Sequence, residues 1–281
     1  DALGQYATTL SWVGNTYYSA CRLDELLSYR QEGLSLNQDL VREMPDNRYW
    51  KSALAFQHAG LADVLFLLGR EQETQAQRQS AIDLMVELIR RDPSNTELRK
   101  DLLVQRGKFL TQEAHGPSAP ELLSEFEGVR TQLRELYVDT TRPPDVDVQL
   151  VLLELSRAEL AIRLGETDLA RDRLEQASLL LSPWLEDEGA QSRYAHVIGR
   201  FRYLWWRTVG EDPASTRPEL VIGTRRGEGE YRGCDDAQLT AQLAVLEGDL
   251  STAREESAYL ESRGYQSPGF VEFCRAHDLC D

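Results

Sequence analysis

The sequence predicts an all-α chain of antiparallel helix pairs stacked side by side, an α-solenoid of about eleven to thirteen helices. Three observations carry this expectation. The 281 residues are rich in Leu, Ala, Glu and Arg and sparing in β-branched Ile and Val, and unbranched side chains lose little rotamer freedom in a helix. Small residues recur seven apart at intervals along the chain. Pro, Gly and Asn punctuate the helical stretches where turns are due.

The small pairs are Gly14 and Cys21, Ala62 and Gly69, Gly107 and Ala114, Ala158 and Gly165, and Ala241 and Gly248. Five residues after each pair stand Leu26, Thr74, Ala119, Ala170 and Ala253. Two helices of a hairpin approach closely only where side chains are small, and the turn between them needs Gly or another small residue past the helix end. Complete helix pairs are expected near residues 5–44, 46–93, 95–139 and 146–185. The first three step by 48 and 45 residues, from Gly14 to Ala62 to Gly107, and the second helices of the first two are long. The segments MPDN (Met44 to Asn47) and DPSN (Asp92 to Asn95) combine a Pro stop with an Asn or Asp able to cap the next helix. A partial unit follows at 190–210, with Gly199 in the small position. Residues 211–234, rich in Gly, Pro and Arg, read as a long loop. A tighter pair is expected at 235–263, and a capping helix at 264–281 after a turn at Arg263–Gly264.

Net charge is −16, which argues against nucleic acid as the partner, because phosphate binding needs a basic surface. No stretch approaches the roughly 18 apolar residues of a membrane helix, so this segment is not expected to insert. The first residue is Asp1, and the chain is read as a processed or excised piece of a longer polypeptide. Cys21, Cys234, Cys274 and Cys280 are the cysteines. Their crowding toward the C-terminus points to a disulfide, Cys234 with Cys274 or Cys280, or Cys274 with Cys280. Reduced thiols are the competing reading, so cytoplasmic and extracytoplasmic locations both stay open.

Little in the sequence speaks for chemistry. His58, His115, His196 and His277 fall in no metal-ligand spacing. Gly227 to Gly233 is Gly-rich but carries two glutamates and lacks the Lys-Ser/Thr of a phosphate loop. Carboxylate pairs such as Glu186-Asp187-Glu188 are expected as solvated turns in so acidic a chain. No cofactor, metal or catalytic residue is expected. The densest unusual feature is Tyr194, Phe201, Tyr203, Trp205 and Trp206, interleaved with Arg193, His196, Arg200, Arg202 and Arg207. Aromatic residues at helical spacing form core, whereas aromatics mixed with arginines also compose interface hot spots.

The unit ELSRAELAIRLGETDLARDRLEQASLLLSPW, with Ala158, Ala161, Gly165, Ala170, Leu174, Ala177 and Pro183, resembles the tetratricopeptide repeat family. A second unit matches through Ala241, Ala244, Gly248 and Ala253 and then departs at Ser257 and Leu260. The resemblance implies a single right-handed superhelix over 1–281, and its long units look like arrays in large bacterial signalling proteins. It implies a non-catalytic protein-interaction scaffold or regulatory domain. The alternative is a ligand- or peptide-sensing domain of a membrane-linked transcriptional regulator or kinase, with the 211–234 loop as a lid. The expected partner is a protein or peptide segment, an upstream domain of the same polypeptide included. By the resemblance, the first helix of each pair lines a concave groove. The groove positions are then Thr8, Ser11, Asn15 and Tyr18; Phe56, Ala59, Asp63 and Phe66; Asp101, Val104, Lys108 and Thr111; and Arg193, His196, Arg200 and Tyr203. The Lys/Asn/Arg set that grips a C-terminal carboxylate in chaperone-binding members is not reproduced. A second expected contact is the arginine-rich end around Arg200, Arg225 and Arg226, facing an acidic or mixed partner segment.

Overall fold

The computed structural model describes residues 2–114, 120–138, 143–187, 189, 194–212 and 233–280. These residues form twelve helices and no strand: α1 (Ala2–Ser19), α2 (Leu23–Glu43), α3 (Arg48–Leu67), α4 (Glu71–Arg91), α5 (Thr96–Glu113), α6 (Leu122–Glu135), α7 (Pro144–Leu164), α8 (Thr167–Leu185), α9 (Ala195–Val209), α10 (Cys234–Glu247), α11 (Leu250–Ser262) and α12 (Pro268–His277). The all-helical expectation holds. Among the described residues no helix is long and apolar enough to cross a membrane.

Four of the five recurring small pairs fix helix corners, and Ala119, which follows the fifth, lies outside the described residues. Cys21, Gly69, Gly165 and Gly248 all have positive φ, at 51°, 66°, 77° and 77°. At each corner the next residue's N–H donates to the carbonyl five residues earlier: Arg22 to Tyr17, Arg70 to Leu65, Glu166 to Ala161 and Asp249 to Ala244, all at 2.8–2.9 Å. This is the left-handed helix stop that satisfies the last carbonyls of the first helix. The new helix then closes its first turn onto Leu26, Thr74, Ala170 and Ala253, all buried. The Asn caps also form. Asn47 Oδ1 accepts from the N–H groups of Tyr49 and Trp50, and Asn95 Oδ1 accepts from that of Leu98.

The chain divides into two compact units. The first comprises residues 1–112, 227–234 and 260–273. Its core holds Leu26, Leu54, Leu61, Leu65, Met85 and Leu88, with Phe270 and Phe273 from α12. The late segment is fastened to the α3–α4 corner, where the Gln266 N–H donates to the Leu67 carbonyl at 2.7 Å. A separate segment of the unit is fastened at Cys234 to the α1–α2 corner, through a Cys21–Cys234 disulfide with a Cα–Cα distance of 4.9 Å.

The second unit comprises residues 113–226, 235–259 and 274–281. Its core runs through Phe126, Leu133, Leu150, Leu155, Leu160, Leu174, Leu181 and Phe201. Embedded in it is an ion cluster. Glu154 on α7 is fully buried, with Arg130 Nε at 2.5 Å, Arg157 Nη1 at 3.2 Å and Arg173 Nη1 at 3.6 Å. Glu127 on α6 pairs with both Arg130 and Arg157 at 2.7 Å. Partial burial works against the Glu127 charge, but the two guanidiniums outweigh it and hold its carboxyl below the usual range. The cluster ties α6, α7 and α8 together. Its geometry is that of a buried ion network whose members are costly to remove singly.

A second disulfide, Cys274–Cys280, closes the end of α12 with a Cα–Cα distance of 5.3 Å. The pairing of Cys274 with Cys280 was one of the expected alternatives. Cys234 pairs instead with Cys21, which sequence reasoning had placed only as a small residue at a turn.

Candidate functional site

The site is built on α1, α3 and α5 of unit 1. Asn15 on α1, Asp63 on α3 and Lys108 on α5 each stand one residue after a small residue, Gly14, Ala62 and Gly107. Arg30 on α2 sends Nη2 to Asn15 Oδ1 at 2.7 Å, and Arg78 on α4 sends Nη2 to Asp63 Oδ1 at 2.6 Å. Each bond spans fifteen residues, so the two hairpins repeat one interaction.

The arginines reach this face because glycines leave them room. A Cβ on Gly60 would meet the Arg30 guanidinium at 3.3 Å, and one on Gly14 would meet it at 3.7 Å. Arg30 therefore passes between α1 and α3. Arg78 is deeper, at 1 % exposure, and its Nη1 also donates to the Gln105 side chain at 2.5 Å and the Ala59 carbonyl at 3.3 Å.

Lys108 completes the array. Its Nζ donates to Asp63 Oδ2 at 2.8 Å, so Asp63 bridges cations on α4 and α5. Burial disfavours the Asp63 carboxylate, but Lys108 and Arg78 overcome this and bring its pKa down to about 2. Burial likewise works against the charge on Arg30, and the Asp63 carboxylate supports it. Three cations thus share one carboxylate. Asp63 and Lys108 still face solvent, with side chains 41 % and 39 % exposed. Such a face offers charge-assisted hydrogen bonds to an anionic group.

Other expected site residues are placed as follows. Tyr18 is exposed on α1, and Phe66 is half-buried on α3. The α1 side chains of Thr8 and Ser11 lie outside the described residues, as do Arg193, Arg225 and Arg226 and most of the 211–234 segment. His196 is exposed. Arg200 is taken up by Glu159 at 2.5 Å, and Arg202 is buried and forked onto Asp212 at 2.6 and 3.2 Å. Tyr203 is buried and its hydroxyl lies 3.0 Å from His277 Nε2. Phe201 is buried too, while Trp205 and Trp206 are half-buried. The described part of α9 is thus mainly packing, and its two best-placed arginines hold internal acids. Among the described residues no group of three His, Cys, Asp or Glu side chains converges as metal ligands would.

Of the expected groove positions, Asn15 is bonded to Arg30, and Asp63 to Lys108 and to Arg78, which in turn bonds Gln105; Arg30, Arg78 and Gln105 are not among the expected positions. A signal for the arginines was present: they stand 48 residues apart, the same step as Gly14 to Ala62. No protein-family model and no curated protein matches the chain.

Proposed function

We propose that the chain is a tetratricopeptide-like helical scaffold that binds a protein segment along the face of α1, α3 and α5 and carries out no reaction of its own. The observation that supports this most is the repeated placement of Asn15, Asp63 and Lys108, one residue after the small position of three successive first helices, in one solvent-facing polar array. In a stacked helix-pair array these positions line the inner surface, where an extended partner can touch several repeats at once. Half-buried Phe66 and exposed Phe56 and Tyr18 beside them supply apolar contacts, as interface anchors do. A role within a larger signalling polypeptide fits this scaffold, because its function then lies in what it holds.

The test uses a photoreactive amino acid placed at Phe66 and, as control, at Leu179, which is 69 % exposed on α8 of the other unit. Cross-linking to one defined partner from Phe66 but not from Leu179 is the expected result. Equal cross-linking from both, or none from Phe66, contradicts the reading.

A further inference from the structure

The chemistry of the α1–α3–α5 face narrows what it holds. On a chain of net charge −16, an acidic ligand is repelled at long range, so it binds only where cations are concentrated. Arg78 and Lys108 bond the Asp63 carboxylate, and Arg30 lies against α3 at Gly60, one turn before Asp63, so these four groups together are positive by two charges. Two of the cations have fixed geometry: Arg30 is wedged between Gly14 and Gly60, and Arg78 is buried with bonds to Asp63, Gln105 and Ala59. Lys108 differs. Among the described residues its hydrogen bond is the one to Asp63, on a flexible stem with the side chain 39 % exposed.

We propose that Arg30 and Lys108 form a subsite for the carboxylate of an acidic side chain in the partner segment, with Asp63 as an internal competitor that holds the cations in place until the ligand arrives. This rests on the scaffold reading above and assigns its ligand class. The entering carboxylate takes a hydrogen bond from Lys108 and sits in the field of Arg30, while Arg78 remains on Asp63. The Asp63 negative charge lowers the affinity of the free site and raises its selectivity, since a weakly acidic surface cannot displace it. No covalent step is involved.

The probe is a blocked hexaglutamate peptide, with hexaglutamine as its neutral counterpart, titrated into the full chain at low and moderate salt. Saturable binding of hexaglutamate alone is expected, weakening as salt rises. Lys108→Gln should weaken it about tenfold, the size of effect expected when one cation of a charge pair is removed. Asp63→Asn, which keeps an acceptor for Arg78 but drops the charge, should tighten it several-fold. Absence of saturable binding, or equal affinity for wild type and Lys108→Gln, overturns the proposal. Weaker binding by a folded Asp63→Asn variant also overturns it. If that variant does not fold, the comparison of wild type with Lys108→Gln still decides, because Lys108 is part-exposed and outside the core. Failure of the peptide alongside partner-specific cross-linking from Phe66 removes the ligand class and leaves the scaffold. Loss of both removes the scaffold reading as well.

Discussion

Lys108 and Asp63 lie forty-five residues apart in the chain and meet at 2.8 Å, joining α5 to α3 through a carboxylate that Arg78 already holds. The pair makes Asp63 both a solvent-facing group and the counter-ion of a buried arginine. Those two roles give different mutational outcomes.

Removing Asp63 strands Arg78. With the guanidinium 1 % exposed, Asp63→Ala leaves a buried charge without its ion pair, and a loss of roughly 3 kcal/mol is expected in urea unfolding. The double variant Asp63→Asn with Arg78→Met removes the charge together with its partner. It should be markedly more stable than Asp63→Ala. A single-to-double difference near zero would show that Arg78 does not depend on Asp63.

Acid sensitivity follows from the same pair. The folded Asp63 carboxyl titrates at about 2, below the roughly 3.9 of an unfolded Asp. A depressed pKa contributes stability that is fully present above the unfolded value and is lost as pH falls through the folded one. The melting temperature of wild type should therefore fall more steeply than that of Asp63→Asn between about pH 4 and pH 2. Parallel curves over that window would contradict the assignment.

Two corner glycines separate backbone strain from crowding. Gly69 and Gly165 both have positive φ, but a Cβ on Gly69 would lie 2.8 Å from the Gln266 carbonyl oxygen, whereas one on Gly165 would meet nothing within 4 Å. Gly165→Ala should cost about 1 kcal/mol for the left-handed conformation alone. Gly69→Ala should cost clearly more and should loosen the segment around Gln266, read by hydrogen exchange of its amide. Equal losses would show that the α3–α4 corner does not bear on Gln266.

The long-range disulfide should matter more than the short one. Cys21 and Cys234 are separated by 213 residues, and Cys274 and Cys280 by 6. Chain-entropy reasoning gives about 5 kcal/mol for the first loop and about 2 kcal/mol for the second. Peptide mapping without reductant should recover both pairs. Cys21→Ser with Cys234→Ser should lower the melting temperature more than Cys274→Ser with Cys280→Ser.

The helical class was legible in the sequence because the features that define it are local. Small residues seven apart mark corners whose left-handed stop needs only one glycine, and Asn47 and Asn95 cap the helices that follow them. Asn15, Asp63 and Lys108 were legible as repeated positions in a periodic pattern. Arg30 and Arg78 share the 48-residue step of Gly14 to Ala62, but the neighbour each long side chain reaches between two helices was not legible. The Cys21–Cys234 pair was hidden for a related reason. Cys21 fits the small-residue slot of its turn, and its partner stands 213 residues away. The arginines of α9 misled in the opposite direction: Arg200 and Arg202 look like surface charge, yet Glu159 and Asp212 take them up.

The most direct measurement is hydrogen exchange of the chain with and without the partner captured from Phe66. The account predicts new protection concentrated on α1, α3 and α5, around Asn15, Asp63 and Lys108. Protection confined to α9, with the α1, α3 and α5 amides unchanged, would contradict it.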